Sequence, residues 1–188
     1  MGWRVSDDLP YARDVTHALL RTALLVAVPE AEPVVGRWRS LFDPSALHGV
    51  PPHVTLIYPY LSSDRCDARA LAQLRDIFRR AAPFDFQLAG VGEFPGILYL
   101  TPTPHEPFRN LIQTLVDQFP DAPPYGGIHP TIIPHLTVAH SSDDATRALM
   151  IESVCASLPI QCLAHEAQLM RENIDGDWQL NERFPLGG

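Results

Sequence analysis

Two short stretches of the chain share one pattern, in which a histidine, an apolar residue, a threonine and a second apolar residue follow one another. They are His53-Val54-Thr55-Leu56 and His135-Leu136-Thr137-Val138. This alternation predicts a β-strand in each case, because successive side chains of a strand point to opposite faces. The imidazole and the hydroxyl then share one face, about 7 Å apart. The aliphatic residues of the other face are left to pack into a core.

The duplication of this pattern carries more information than either copy. From the composition of the 188 residues alone, about 0.16 tetrapeptides of this pattern are expected when serine is allowed in place of threonine. A single histidine in a strand is commonly a hydrogen-bonded, half-buried side chain with no further role. Two copies separated by 82 positions indicate a paired functional site.

The remaining segments alternate between strand and helix patterns. Thr22 to Val28 is an apolar run of strand length. From Pro33 onward the spacing predicts a helix whose apolar side carries Val34, Val35, Trp38, Leu41 and Phe42, with Arg37 and Arg39 pointing away. Ser62, Ser63 and Asp64 are predicted N-caps of a second helix, whose solvated face carries Arg69, Arg75, Arg79 and Arg80.

The same reasoning extends to the second half of the chain. Phe84 to Thr101 reads as an antiparallel hairpin with its turn among Gly90, Gly92, Pro95 and Gly96. Phe108 to Phe119 has a clear helical period, and Ser141, Ser142 and Asp143 are predicted caps of a further helix. Ile160 to Leu169 and Trp178 to Phe184, joined through Asp175-Gly176, are predicted to form a closing hairpin.

This order of elements is a degenerate internal repeat. A helix, a motif strand, a second helix and a hairpin occur twice, and the motif, the helix after it and the hairpin strands are displaced by about 75 to 82 positions. We therefore expect an α+β fold in which two lobes, packed about a pseudo-twofold axis, bring both motif strands to one cleft. An N-terminal arm is predicted over residues 1–20 and a single domain over 21–188, with lobes at roughly 33–101 and 105–186.

Composition restricts the classes of partner. The chain has 22 acidic and 14 basic residues, all of the latter arginine, and a net charge of −8. Proteins that wrap long nucleic acid normally present a basic surface, so this charge disfavours a long duplex partner. Three cysteines without zinc-type spacing suit a reducing cytoplasm. The absence of a long apolar run predicts no membrane span, and a monomer is favoured.

The two motifs resemble the signature of the two-histidine phosphoesterases, which include 2′-5′ RNA ligase-like and cyclic phosphodiesterase proteins. The resemblance extends from about Thr22 to Leu186, because the order of elements also fits. It implies a bilobal α+β fold with mainly antiparallel sheets lining a central cleft and helices on the outer faces. It also implies that His53 and His135 form an acid/base pair, that Thr55 and Thr137 hold the substrate phosphate, and that RNA processing is the setting.

The chemistry of these residues agrees with that implication. Opening a cyclic phosphate requires a base for water and an acid for the departing ribose oxygen, and imidazole serves both because its pKa lies near 6.5. Threonine hydroxyls can donate to phosphate oxygens as charge develops there. The constellation requires no metal and no cofactor. The sequence leaves open which histidine is the base and whether the reaction runs as hydrolysis or ligation, although hydrolysis is favoured because water is always present.

A small nucleotide or a short RNA end is the expected partner, and several residues are weaker candidates for contacting it. Phe94, Tyr99 and Tyr125 could stack on a base, although core packing is the more common role for such residues. Arg109 and Arg171 could meet a terminal phosphate, although surface ion pairs are common for arginine. His129, which Pro130 and Thr131 follow, is predicted to lie in a loop near the mouth of the cleft.

Two alternative functions remain open at this stage. Histidines with acidic residues could hold Zn²⁺, but no His-x-x-x-His or Glu-x-x-His spacing accompanies the motifs. The chain could also be a non-catalytic module that binds a nucleotide in the same cleft. Pure binding would not require two titratable groups facing one another, which favours the enzyme.

Overall fold

The computed structural model describes residues 20–127, 132–140 and 143–188. These ranges contain eight strands: β1 (Thr22–Ala27), β2 (His53–Ile57), β3 (Phe84–Phe94), β4 (Ile97–Thr103), β5 (Leu136–His140), β6 (Ile160–Ala164), β7 (Glu166–Glu172) and β8 (Trp178–Pro185). They also contain five α-helices: α1 (Glu32–Phe42), α2 (Pro44–Leu47), α3 (Ala68–Arg80), α4 (Glu106–Gln118) and α5 (Asp144–Cys155). The predicted N-terminal arm, 1–20, lies almost entirely outside the described residues.

The strands form two four-stranded antiparallel sheets that repeat one plan. One sheet has the order β2-β1-β7-β8 and the other β5-β4-β3-β6. A motif strand lies at the edge of each sheet and pairs with an apolar strand, β1 in one case and β4 in the other. The predicted α+β class and pseudo-twofold arrangement of mainly antiparallel sheets are confirmed.

The lobes predicted as continuous stretches, 33–101 and 105–186, do not coincide with the two sheets. The hairpin β3–β4 follows the first motif in the chain, yet it pairs with β5, the second motif strand. Conversely, β7 and β8 extend the sheet of β1 and β2. Each sheet therefore takes strands from both halves of the chain, which ties the lobes together through their backbones.

One continuous core joins the sheets and their helices. Its largest fully buried side chains include Phe78 of α3, Phe108 of α4 and Phe184 of β8. The ring of Phe108 lies 5.0 Å from the rings of both Phe84 and Phe86 of β3, while α4 itself packs along β2. Helix α1 packs on β5. Each motif strand thus has a helix on its core side.

Two details of the helices differ from the sequence-based expectation. Arg39 is 2% exposed whereas Leu41 is 60% exposed, so the two were assigned to the wrong faces of α1. The charge of Arg39 is tolerated inside because Asp43, four residues later, pairs with it. Helix α3 is capped by Asp67, whose side chain accepts from the Ala70 N–H, because residues 62–66 already form a turn of their own. Its arginine face is solvent-exposed, as predicted.

Two strand boundaries also differ from those predicted from the sequence. The predicted strand Ile160 to Leu169 divides at His165 into β6 and β7, which belong to different sheets. Gly90 and Gly92, predicted in a turn, lie inside β3, and the chain turns at Pro95 and Gly96. Alternation alone cannot show where a strand changes partners, since both pieces keep the same period. No helix in the described part of the chain is long and apolar enough to cross a bilayer.

Candidate active site

The edge strands β2 and β5 lie against one another and carry the two motifs. On their core sides Val54, Leu56, Leu136 and Val138 are buried. On the other side His53 and Thr55 share one face of β2, as the alternation of the sequence requires. His135 immediately precedes β5, and its charge lowers the pKa of His53. The structure therefore brings the two imidazoles into one electrostatic environment.

Both imidazoles are held by the same backbone contact. The Nδ1 atom of His53 lies 2.8 Å from the carbonyl oxygen of Pro51, and Nδ1 of His135 lies 2.7 Å from that of Ile133. A carbonyl oxygen only accepts hydrogen bonds, so each Nδ1 must carry a proton and donate it. The Nε2 atom of each ring is thereby left to accept or release a proton. Two residues before each histidine, a main-chain oxygen thus fixes its tautomer.

The environment of both rings disfavours the imidazolium. Burial lowers the pKa of His53 to about 4; the positive charge of Arg39 adds to this effect, while the Pro51 carbonyl and Asp43 oppose it. Burial also lowers the pKa of His135, and nearby His140 contributes in the same direction. Without a ligand, both rings are neutral at pH 7. An anionic phosphate between them would raise both pKa values.

Thr55 is held by a residue from a distant loop. The phenol of Tyr125 is hydrogen-bonded to the Thr55 hydroxyl, and burial raises its pKa. The Tyr125 N–H donates to the carbonyl of Tyr58, at 2.6 Å. Tyr125 adopts a positive φ of 52°, which is uncommon for a bulky residue. This strained conformation, in the segment Pro124–Gly127, brings its side chain to Thr55 in the middle of β2.

An aromatic pair flanks His135. The rings of Phe94 and Tyr99 are stacked at 4.2 Å, and their centroids lie 5.2 Å and 5.3 Å from that of His135. Tyr99 is directly opposite Thr137 in the β4–β5 ladder. Gly92 makes this packing possible, because a Cβ atom there would lie 2.5 Å from the Tyr99 ring. Phe94 and Tyr99 are thus neighbours of His135, and Tyr99, at 8% exposure, is mostly covered.

The remaining sequence candidates are not gathered at this site by the structure. Arg171 is exposed. Gln168 and Thr55 both pair with Leu25, so their side chains share one face of the sheet. Arg171 lies an odd number of positions after Gln168 and therefore points to the face opposite Thr55. Arg109 is exposed in the first turn of α4, the helix packed behind β2. His129 lies outside the described residues.

Sequence reasoning missed two parts of the site. The carbonyl groups of Pro51 and Ile133 carry no side-chain signal, so no pattern could reveal them. The buried pair Arg39–Asp43, which lies near His53, had one available signal, since arginine and aspartate stand four residues apart where α1 ends. Among the described residues there is no group of three or more His, Cys, Asp or Glu side chains that could hold a metal ion.

Comparison with known proteins identifies the family. A sequence model of the 2′-5′ RNA ligase superfamily matches residues 27–176, which include both motifs. The chain belongs to this superfamily. A protein of Bacillus pumilus that bears the name "Putative phosphoesterase" is 26% identical over 164 residues, covering 82% of this chain and 90% of its own. Membership supports a phosphoesterase activity in general terms.

Solved structures share the fold. Escherichia coli LigT complexed with 3′-AMP superposes with a TM-score of 0.60 at 17% identity, covering 90% of this chain and 99% of LigT. The protein TT0787 of Thermus thermophilus gives a TM-score of 0.61 at 19% identity, covering 89% of this chain and 98% of its own. LigT has also been crystallised with ATP. At these identities the likeness concerns the fold alone.

Proposed function

We propose that this member of the 2′-5′ RNA ligase superfamily is a metal-independent phosphoesterase. It hydrolyses a cyclic phosphate, such as a 2′,3′-cyclic nucleotide, or a 2′-5′ phosphodiester in a nucleotide or short RNA end. The observation that carries the proposal is the matched pair of histidines. Each donates Nδ1–H to the carbonyl two residues earlier and keeps Nε2 for proton transfer.

In the proposed reaction, one neutral imidazole accepts a proton from water through Nε2 while the water oxygen bonds to phosphorus. The bond from phosphorus to one ribose oxygen breaks, and the second imidazole, charged in the complex, gives its Nε2 proton to that oxygen. The hydroxyls of Thr55 and Thr137 donate to the non-bridging oxygens, where charge accumulates. The products are a phosphate monoester and a free ribose hydroxyl. The same groups permit the reverse, ligating direction.

We assign the base to His53 and the acid to His135. The guanidinium of Arg39 disfavours the charged form of His53, which suits a group that must start the reaction neutral. The phosphate bound between the rings then favours the charged form of His135. Two interacting imidazoles can divide the roles in this way through coupled titration.

Several observations support a small nucleotide as substrate. The net charge of −8 disfavours long nucleic acid, and LigT, which shares the fold, binds 3′-AMP and ATP in crystals. Phe94 is half-buried beside His135 and offers a ring for a nucleobase close to the phosphate position. Tyr125 reaches the site through its hydrogen bond to Thr55.

A panel of substrates tests the activity. Wild-type protein, in excess EDTA, is incubated with the four 2′,3′-cyclic nucleotides and a 2′-5′-linked dinucleotide, and the products are separated by chromatography. We expect hydrolysis of at least one substrate at a rate that EDTA does not change. Loss of activity in EDTA with recovery on adding Zn²⁺ would contradict the metal-free mechanism. Nucleotide binding without turnover across the panel would favour a binding module instead.

The pH dependence of kcat/KM tests the role assignment. The free enzyme must hold His53 neutral and His135 charged, so activity falls as pH drops through the pKa of His53, about 4. Activity also falls as pH rises through the pKa of His135, which lies below 6.5. We therefore expect an optimum of kcat/KM below pH 6.5 in a profile from about pH 3.5 to about pH 9. An optimum above pH 7 would contradict the assignment.

A further inference from the structure

We propose that the buried ion pair of Arg39 and Asp43 is a positioning element for catalysis. It fixes the segment that sets the tautomer of His53 and links this segment to the strand that follows His135. The proposal deepens the function proposed above and rests on it. Neither residue belongs to a motif, and neither contacts the phosphate position in the proposed mechanism.

The pair is buried and hydrogen-bonded to the residues around it. The two side chains are 3% and 1% exposed, and Nε of Arg39 donates to Oδ2 of Asp43 at 2.9 Å. The guanidinium also donates to the carbonyl of Val50, at 3.1 Å, and to the hydroxyl of Ser45, at 3.2 Å. The other oxygen of Asp43 accepts from the N–H and the hydroxyl of Ser45, at 2.9 Å and 2.8 Å. All of these partners belong to residues 43–50, the segment that precedes the first motif.

Those contacts continue directly to His53. Val50, whose carbonyl Arg39 holds, is itself buried against Leu25 of β1 and Met170 of β7. The next residue, Pro51, accepts the Nδ1 proton of His53 at 2.8 Å. The guanidinium therefore holds the peptide immediately before the carbonyl that selects the His53 tautomer. A shift of this peptide would release Nδ1 and change the direction of Nε2.

The same carboxylate reaches the second motif strand. Nε2 of His140 lies 4.0 Å from Oδ1 of Asp43, and α1, which carries Arg39, packs on β5. His140 is the last residue of β5, five positions after His135. The ion pair thus lies between the loop that orients His53 and the strand that follows His135. Fixing both sides at once maintains the spacing that a two-histidine reaction needs.

Stability does not explain why charges occupy this position. A buried ion pair carries a large desolvation cost, and well-packed apolar replacements commonly give equal or greater stability. Helix α1 already presents apolar side chains to the core, with Val35 fully buried. An apolar residue at position 39 could fill the space, but it could not bind the Val50 carbonyl. The charged pair therefore serves to orient the loop of residues 43–50.

The pair also sets the charge around His53. The ionisable groups that act on this imidazole are Arg39 and His135, which disfavour its protonation, and Asp43, which favours it; the Pro51 carbonyl also favours it. Removing the pair would take away these charge effects and, by releasing Nδ1, would also remove the effect of the Pro51 carbonyl, which opposes that of Arg39, so the His53 pKa does not separate positioning from charge. The tautomer of the neutral ring does separate them, because the Pro51 carbonyl selects that tautomer. A pair that only stabilised the fold would leave the tautomer unchanged.

The test combines NMR of the His53 ring nitrogens, which reports the nitrogen that carries the proton in the neutral ring, with steady-state kinetics. The variants are Asp43→Asn, Arg39→Lys and the apolar double variant Arg39→Met/Asp43→Leu. The matched control is Arg75→Met, which removes the exposed ion pair between α3 and Glu182. The NMR measurement requires no substrate, so it can be read even if the protein fails to hydrolyse any compound of the panel. Failure of the proposed function and failure of this inference are thereby distinguishable.

We expect the double variant to remain folded, to populate the Nε2–H tautomer of neutral His53, and to lose about 10- to 100-fold in kcat with KM nearly unchanged. Asp43→Asn weakens the hold on Arg39 and should show smaller changes of the same kind. Arg39→Lys keeps the charge but lacks the planar fork, so it should also populate that tautomer in part and lose part of kcat. If the double variant does not fold, Asp43→Asn and Arg39→Lys decide. A wild-type His53 tautomer together with wild-type kcat in the folded variants would overturn the proposal.

Discussion

Replacing His53 or His135 by alanine is expected to lower kcat toward a 2′,3′-cyclic nucleotide by about 100- to 10,000-fold. The loss is large because each imidazole transfers a proton in the same transition state. Binding should survive, because Thr55, Thr137 and the remaining imidazole still contact the phosphate in the proposed complex. Rapid-quench kinetics and a separate measurement of product affinity separate these two effects.

The control for these variants is His105→Ala, at an exposed histidine beside Glu106, remote from both motifs in the chain. It should retain the wild-type rate. The double variant His53→Ala/His135→Ala should be about as slow as the single variants, since residues that act as a unit give non-additive losses. A single variant that keeps wild-type kcat would remove that histidine from the mechanism. Equal losses of affinity and turnover would favour a binding role.

Gly92→Ala is expected to lower activity about 10- to 100-fold, although position 92 contacts no substrate in the proposed complex. Its added Cβ would lie 2.5 Å from the ring of Tyr99, and the ring must therefore move. Tyr99 packs against both Phe94 and His135, so its displacement changes the position of the imidazole. We expect a folded protein with a stability loss of about 1–3 kcal/mol, the usual cost of overpacking.

The matched control for Gly92→Ala is Asp85→Ala, an exposed position on the same strand. Thermal unfolding and kcat are measured for both variants. The control should resemble wild type in both measurements. Wild-type kcat in a folded Gly92→Ala protein would show that the aromatic pair does not hold His135 in place. Loss of folding would instead show that this packing supports the β3–β4 hairpin as a whole.

Local patterns in the sequence predicted most elements and the faces of the two motif strands. The alternation in β2 and β5 predicted that the histidines and threonines point away from the core while Val54 and Leu136 point into it. Val54 and Leu136 are both buried, which confirms these faces. The helical spacing of α4 likewise gave its buried side, including Phe108 and Leu115. These predictions succeeded because period and polarity are properties of contiguous residues.

Features that depend on distant partners could not be predicted in this way. The hairpin β3–β4 pairs with β5 and not with β2, and β6 and β7 separate into different sheets, since pairing depends on long-range packing. Arg39 was assigned to the solvent because its charge is costly to bury, yet Asp43 compensates it. The carbonyl of Pro51 belongs to the backbone and has no residue-specific signature. The parts of the site supplied by tertiary structure therefore escaped sequence reasoning.

The central claim is that both imidazoles act on one phosphate group, and an NMR titration tests it most directly. The ring signals of His53 and His135 are followed while a nucleoside 2′-monophosphate is added in the presence of EDTA. We predict that both rings shift with a single shared Kd and that the pKa of each rises, because the bound anion favours the charged form. A shift of only one ring, or two different Kd values, would contradict a single two-histidine site.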